Sequence, residues 1–278
     1  MKPKRAIVVA GLCLLITIPP CVRLTHRYHQ VYVDRALITA IETGDANAVD
    51  SLLAAGANPN TWAIPHKQKP LLQLLRDLLH PPLPATQGRA ALFVALRDGQ
   101  VRPATPRVVK SLIAYGANVN ARLEDGTTPL QCAAQFGLDD CLRVLIDSGA
   151  NVRVSGSALG CLIVLHRTDG VRMLIAAGAD VSAKNDKGES DLWVAAQCGW
   201  ADCLKAVVAA GADINATDRD GNTPLMEASY MGHLDCVNML LMAGASVRNR
   251  NVQGMTALGL AKSSGGSAII ERLQRREP

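Results

Sequence analysis

The apolar positions of this chain come in short helical bursts. In Asp139–Ser148 they fall at Leu142, Leu145 and Ile146, and in Leu234–Ala243 at Val237, Leu240 and Leu241. That i, i+3, i+4 spacing predicts an amphipathic helix of about ten residues in each case. Each burst stops at a Gly-Ala, and Gly-Ala recurs at 56–57, 116–117, 149–150, 178–179, 211–212 and 244–245. Ahead of each clear second helix lies another short one. It opens on Thr128-Pro129-Leu130 or Thr223-Pro224-Leu225 and closes at Gly137 or Gly232. The Thr hydroxyl caps the helix and Pro fits its first turn, while Gly takes the left-handed conformation that ends it. A turn precedes each pair, at Asp125-Gly126-Thr127 and Asp220-Gly221-Asn222.

Counting from the first-helix Leu finds seven units, at Leu37, Leu92, Leu130, Leu159, Leu192, Leu225 and Leu258. A period near 33 residues marks a repeat array, in which each unit buries its apolar face against its neighbours. Six units end their first helix on Gly; the fourth has His166 there, a residue that tolerates the left-handed conformation with some strain. The second unit carries an insertion at about 61–88, with a Leu-rich run from Pro70 to His80 that predicts an added helix. Five further residues lie around 100–106, and the fourth unit is four residues short around 152–157.

This period and these motifs resemble the ankyrin repeat family. Thr-Pro-Leu at 128–130 and 223–225, the paired Ala133-Ala134 and Ala195-Ala196, and the closing Gly-Ala-Asn-Val-Asn at 116–120 carry the resemblance. It covers about residues 31–277 and implies an all-α repeat solenoid of about seven helix-turn-helix units with short β-hairpin-like turns. Asp191 departs from the pattern, standing where the family has Pro. The resemblance also implies a non-enzymatic scaffold that binds a protein through its concave face and turn tips. Carried onto this chain, the contact residues are Gln135, Phe136, Leu165, Gln197, Tyr230 and Met231 on the first helices and Arg219 in a turn. Val164, Cys198, Glu124, Lys187, Asp220 and Met255 occupy equivalent positions. Aromatic residues make up 3% of the chain, so Phe136 and Tyr230 at such positions stand out. Trp193 and Trp200 are expected to pack at the edge of their unit.

Residues 1–30 differ from the rest. Lys2, Lys4 and Arg5 precede the uncharged, mostly apolar run Ala6–Ile18, and Pro19-Pro20 follows. No small-x-small cleavage site follows, which points to an uncleaved signal anchor contacting the bilayer through residues 6–22. The basic residues ahead of it place the N-terminus in the cytoplasm and the repeats on the far side, the periplasm in a bacterium. With that hydrophobic helix ahead of the array, the layout is that of a bacterial-type member of the family. The alternative is a cleaved signal peptide and a secreted or delivered effector that binds a host protein.

Charge narrows the partner. The chain is +5, but residues 1–30 hold five basic residues and no acidic ones, which leaves 24 of each sign in residues 31–278. A neutral array offers no electrostatic footprint for nucleic acid. Catalytic chemistry does not converge either: there is no G-x-S-x-G, H-E-x-x-H or phosphate-binding Gly loop. Asp and Glu are expected mainly in turns and on solvated helix faces. Neither a cofactor nor a small-molecule substrate is expected. Cys21, His26 and His29 make a short run with too few ligands for a structural zinc site. The six Cys of the array fall in recurring core positions. Cys198 and Cys203, which flank one tight turn, are the pair placed best to bridge.

Overall fold

The computed structural model describes residues 20–63, 89–97, 106–153 and 158–276; of residues 20–28, 62–63, 89 and 97 the backbone alone is described. The apolar run 6–18, the Leu-rich segment 70–80 and most of the irregular stretches at 100–106 and 152–157 lie outside these residues. The chain divides into two compact units, Met1–Asn118 and Val119–Pro278.

In the first unit, α1 (Pro20–Thr43) and α2 (Ala46–Ala54) form one helix pair, and α3 (Ala91–Arg97) and α4 (Pro106–Ala114) a second. Helix α1 runs through residue 30 without a break, so the stretch before the expected domain boundary is continuous with the first pair. Among the described residues no helix is long and apolar enough to cross a membrane. Two short strands, β1 (Trp62–Ala63) and β2 (Arg89–Ala90), pair antiparallel with Trp62 opposite Ala90. They bring the two ends of the insertion together beside α3, so the extra chain leaves and re-enters at one point of the turn.

The second unit holds five pairs. They are α5 (Pro129–Gln135) with α6 (Asp139–Asp147), α7 (Ala158–Val164) with α8 (Thr168–Ala176), and α9 (Asp191–Cys198) with α10 (Ala201–Ala209). Next come α11 (Pro224–Met231) with α12 (Leu234–Met242), and α13 (Ala257–Ser264) with α14 (Ser267–Gln274). First helices pack on first helices and second on second, α11 between α9 and α13, and α10 between α8 and α12.

The core follows the predicted columns. The anchoring Leu of every pair is buried, from Leu37, Leu192 and Leu225 at 0% exposure to Leu258 at 8%. Second helices contribute a repeated pair, such as Leu142 with Leu145, Leu204 with Val207 and Val237 with Leu240. Each such side chain stabilises the stack by roughly 1.5–3 kcal/mol relative to leaving it exposed. Apart from α1, with 24 residues, these helices have seven to nine and would be marginal alone, so packing between neighbours carries them. Four first helices are capped alike. The hydroxyls of Thr128, Ser190, Thr223 and Thr256 accept from the backbone N–H three residues on, at 3.2–3.3 Å.

Side chains also tie the turns. In the first unit Asn60 Nδ2 donates to the Gly116 carbonyl at 2.9 Å, and its Oδ1 accepts from the Asn118 N–H at 2.8 Å. Helix α1 reproduces this clasp one pair earlier with two side chains of its own. Gln30 Nε2 donates to the Gly56 carbonyl at 2.9 Å, and Asp34 Oδ1 accepts from the Asn58 N–H at 2.8 Å. In the second unit Asn185, Asp218 and Asn251, spaced 33 apart, close successive turns: each Oδ1 accepts from the N–H groups two and four residues on.

One backbone detail and one ring contact bear on the fourth unit. His166 holds φ 56°, the one described non-Gly residue with positive φ. Its ring stacks on Trp200 with centroids 4.0 Å apart and planes 9° from parallel. Trp193 is 4% exposed, so both tryptophans pack as expected.

Candidate functional site

The proposed helix contact residues sit at the C-terminal ends of the first helices α5, α7, α9 and α11. The positions five and six after the anchoring Leu are Gln135 and Phe136, Val164 and Leu165, Gln197 and Cys198, and Tyr230 and Met231. In the second unit Phe136 is 42% exposed, Val164 58%, Leu165 45%, Tyr230 50% and Met231 43%. Gln135 is exposed; Gln197 and Cys198 are half-buried. Because consecutive first helices pack side by side, α5 on α7, α7 on α9 and α9 on α11, these residues share one face. Each exposes a large apolar area that the fold itself does not use.

Between Leu165 and Tyr230 the strip is interrupted by polar groups. Gln197 Nε2 donates to Glu227 Oε1 at 3.3 Å, a bond joining α9 to α11. Glu227 is 9% exposed. Burial pushes its carboxyl above the usual range; the Gln197 bond opposes this, Asp218 and Glu189 push the same way as burial, and His233 opposes it. The turn tips beside it form a shallow hollow lined by Lys187, Glu189, Asp218, Arg219 and Asp220. Arg219 is exposed, with its Cγ passing over Gly188.

The expectation that acidic residues lie mainly in turns and on solvated faces fails at two positions. Glu227 is one. Asp191 is the other: it is 7% exposed, its Oδ2 is buried with no hydrogen-bond partner, and burial with the nearby Asp180 charge pushes its carboxyl up to about 7. Glu227 is a residue that sequence reasoning missed, and one signal could have marked it. It stands two residues after the anchoring Leu, a place filled in the other units by Thr39, Val94, Cys132, Cys161, Val194 and Leu260, none of them charged.

The thiols are not built for chemistry. Cys198 and Cys203 are free thiols and do not bridge. Burial raises Cys161, Cys198 and Cys203, and carries Cys141 and Cys236 up to about 11, away from the reactive thiolate. His233 is structural: its Nε2 bonds the Gln197 carbonyl at 2.9 Å, and its ring lies over Gly199. No group of three or more His, Cys, Asp or Glu placed to hold a metal ion occurs among the described residues. The side chains of Cys21 and His26 lie outside them.

Comparison with known proteins agrees with this architecture. A solved structure of the ankyrin repeat domain of Bcl-3 superposes with a TM-score of 0.67 at 24% identity, covering 87% of this chain and 98% of that one. The human ASB11 ankyrin repeat domain matches equally well, with 97% of it covered. Among curated proteins, the Arabidopsis thaliana E3 ubiquitin-protein ligase KEG is 37% identical over 123 residues, 42% of this chain and 7% of the ligase. Human ankyrin repeat and SOCS box protein 6 is 29% identical over 175 residues, 59% of this chain and 35% of that protein. The chain thus matches only a minor part of these relatives' length. They are eukaryotic, so they lend nothing to the expectation of a bacterial-type member. The model for ankyrin repeats in three copies matches residues 37–156 and 161–251, and the chain belongs to the ankyrin repeat family.

Proposed function

We propose that the chain is a non-enzymatic scaffold of seven ankyrin units that binds a protein partner through its first-helix face and adjoining turn tips. The observation that carries this is the exposed series Phe136, Val164, Leu165, Tyr230 and Met231, each 42–58% exposed on one face of the second unit. A few aromatic and Met anchors supply most of the energy of a typical interface, while surrounding polar residues exclude water. Residues 6–22 hold the scaffold at a membrane, on the strength of their apolar composition and the Lys2, Lys4, Arg5 cluster before them. The repeats then lie on the side opposite the N-terminus.

Site-specific photo-crosslinking tests the face. A crosslinker at position 136 or 230 should capture a partner that one at the exposed second-helix residue Arg143 does not, and Ala at Phe136, Tyr230 and Met231 should abolish capture. Equal capture at 143, or a triple variant that keeps full affinity, refutes the assignment. Mass analysis of the mature N-terminus tests the anchor. An intact start supports it, and a start beyond residue 17 means a cleaved leader and a secreted protein.

A further inference from the structure

The proposed face is not uniformly apolar, and its one break has a defined chemistry. Phe136 and Leu165 stand on one side and Tyr230 and Met231 on the other. Between them lies Glu227, held by Gln197. Among the described residues this carboxylate has no Lys or Arg partner. Its Oε1 takes one long bond from a neutral amide, and its Oε2 takes none. The residue is largely buried, but Oε2 still reaches solvent, so it is the atom that a partner's cation can pair, and pairing offsets the cost of burial. Asp218 and Glu189 aggravate the cost, since both act on Glu227 as like charges. The cations at the rim, Lys187 and Arg219, make no ion pair with it. A binding face with an unpaired, recessed carboxylate between two apolar patches is complementary to a cation flanked by apolar groups.

Resting on the interaction face proposed above, we infer that the partner presents a Lys or Arg side chain to Glu227, with apolar residues on either side that cover Phe136–Leu165 and Tyr230–Met231. Spacing sets the pattern. Neighbouring first helices lie about 8–10 Å apart, and an extended chain advances about 3.3 Å per residue. One unit therefore spans about three partner residues. Leu165 on α7 lies two first helices from Glu227 on α11, so the recognised segment has an apolar residue about five or six positions before its cation and another within about three positions after it, in either chain direction. Pairing with the cation needs the ionised carboxyl, which burial holds above its ordinary range, so binding weakens as pH falls through that raised range. The charged groups bearing on Glu227 are Asp218, Glu189 and His233.

A phage-displayed library of random 12-residue peptides, panned on the full-length chain immobilised by its C-terminus, provides the probe. Enriched peptides should carry a Lys or Arg between apolar residues. Glu227→Gln should weaken them at least tenfold and remove the pH dependence. This variant keeps an acceptor for Gln197 and sheds a recessed charge, so a melting temperature no lower than that of wild type separates lost binding from lost fold. Peptides that lack a cation, ignore Glu227→Gln and fail on Tyr230→Ala overturn this inference while leaving the interaction face intact. Peptides indifferent to all three of Glu227→Gln, Phe136→Ala and Tyr230→Ala, or no enrichment at all, overturn both.

Discussion

Asp191 makes the sharpest test of how this array is held together. It opens α9 where Thr128-Pro129 and Thr223-Pro224 place Pro, and Ser190 still caps the helix. Its carboxyl is folded inward: Oδ1 lies 3.1 Å from where a side chain on Gly160 would begin, and Oδ2 is buried unpaired. Its ordinary value is 3.8, and burial with the Asp180 charge moves it to about 7 in the folded chain. Between those values the folded state holds a proton that the unfolded state has lost. Stability therefore falls as pH rises through that window and levels off above about 7. Three pH units at about 1.4 kcal/mol each bound the loss at about 4 kcal/mol. Urea unfolding of wild type and Asp191→Asn at pH 4.5, 6 and 8 measures it, because other titrating groups cancel in the difference. The variant should gain on wild type by about 3–4 kcal/mol between pH 4.5 and pH 8, with most of the gain below pH 7. Its offset at pH 4.5 reports the amide's own cost. A difference that stays flat within about 0.5 kcal/mol across that range would mean that Asp191 is solvated and that the packing of α9 on α7 is misread.

Three further outcomes follow from the turns. His166→Ala keeps the left-handed backbone but loses the Trp200 stack, and should cost about 0.5–1.5 kcal/mol in urea unfolding; His166→Gly also relieves about 1 kcal/mol of strain and should come out near neutral. Gly232→Ala pays only for φ 83° with open space around it, whereas Gly199→Ala at φ 77° also meets the His233 ring at 2.6 Å, so melting should drop distinctly further for Gly199→Ala. Asn60→Ala breaks both bonds of the clasp and should cost about 1–3 kcal/mol, with faster hydrogen exchange at the Asn118 amide; no change in exchange would show that the clasp is idle.

What could be read from the sequence was whatever repeats. The Leu column, the Thr and Ser caps and the Gly-Ala stops recur at fixed spacing, and local physics alone dictates their roles. The His166 conformation was legible for the same reason, since it fills a slot whose backbone the other units define. Asp191 and Glu227 were misplaced because composition says that carboxylates prefer water, and only packing between neighbouring first helices removes them from it. Gln30 and Asp34 were missed because the residues they bond, Gly56 and Asn58, lie more than twenty residues away, and Gln30 and Asp34 themselves belong to no motif. The Asn185, Asp218 and Asn251 column does repeat, but its function depends on turn geometry that a lone Asn or Asp does not announce.

The same division bears on function. An array built from like units offers like surfaces, so recognition must come from positions where the units differ. Along the first-helix face those differences are the apolar residues at Phe136, Leu165, Tyr230 and Met231 and the carboxylate at Glu227. The exposed apolar residues lie outside the Leu column and the Thr and Ser caps, and the place that Glu227 takes is filled in another unit by the buried Cys132. A carboxylate at position 227 is a liability to stability, since burial raises its free energy and Gln197 returns only one long hydrogen bond. Cys132, Cys161, Val194 and Leu260 fill the same place in other units without that cost. Replacing Glu227 with Val should therefore stabilise the array while weakening partner binding. That opposition between stability and binding distinguishes a recognition residue from a structural one, whose loss would lower both.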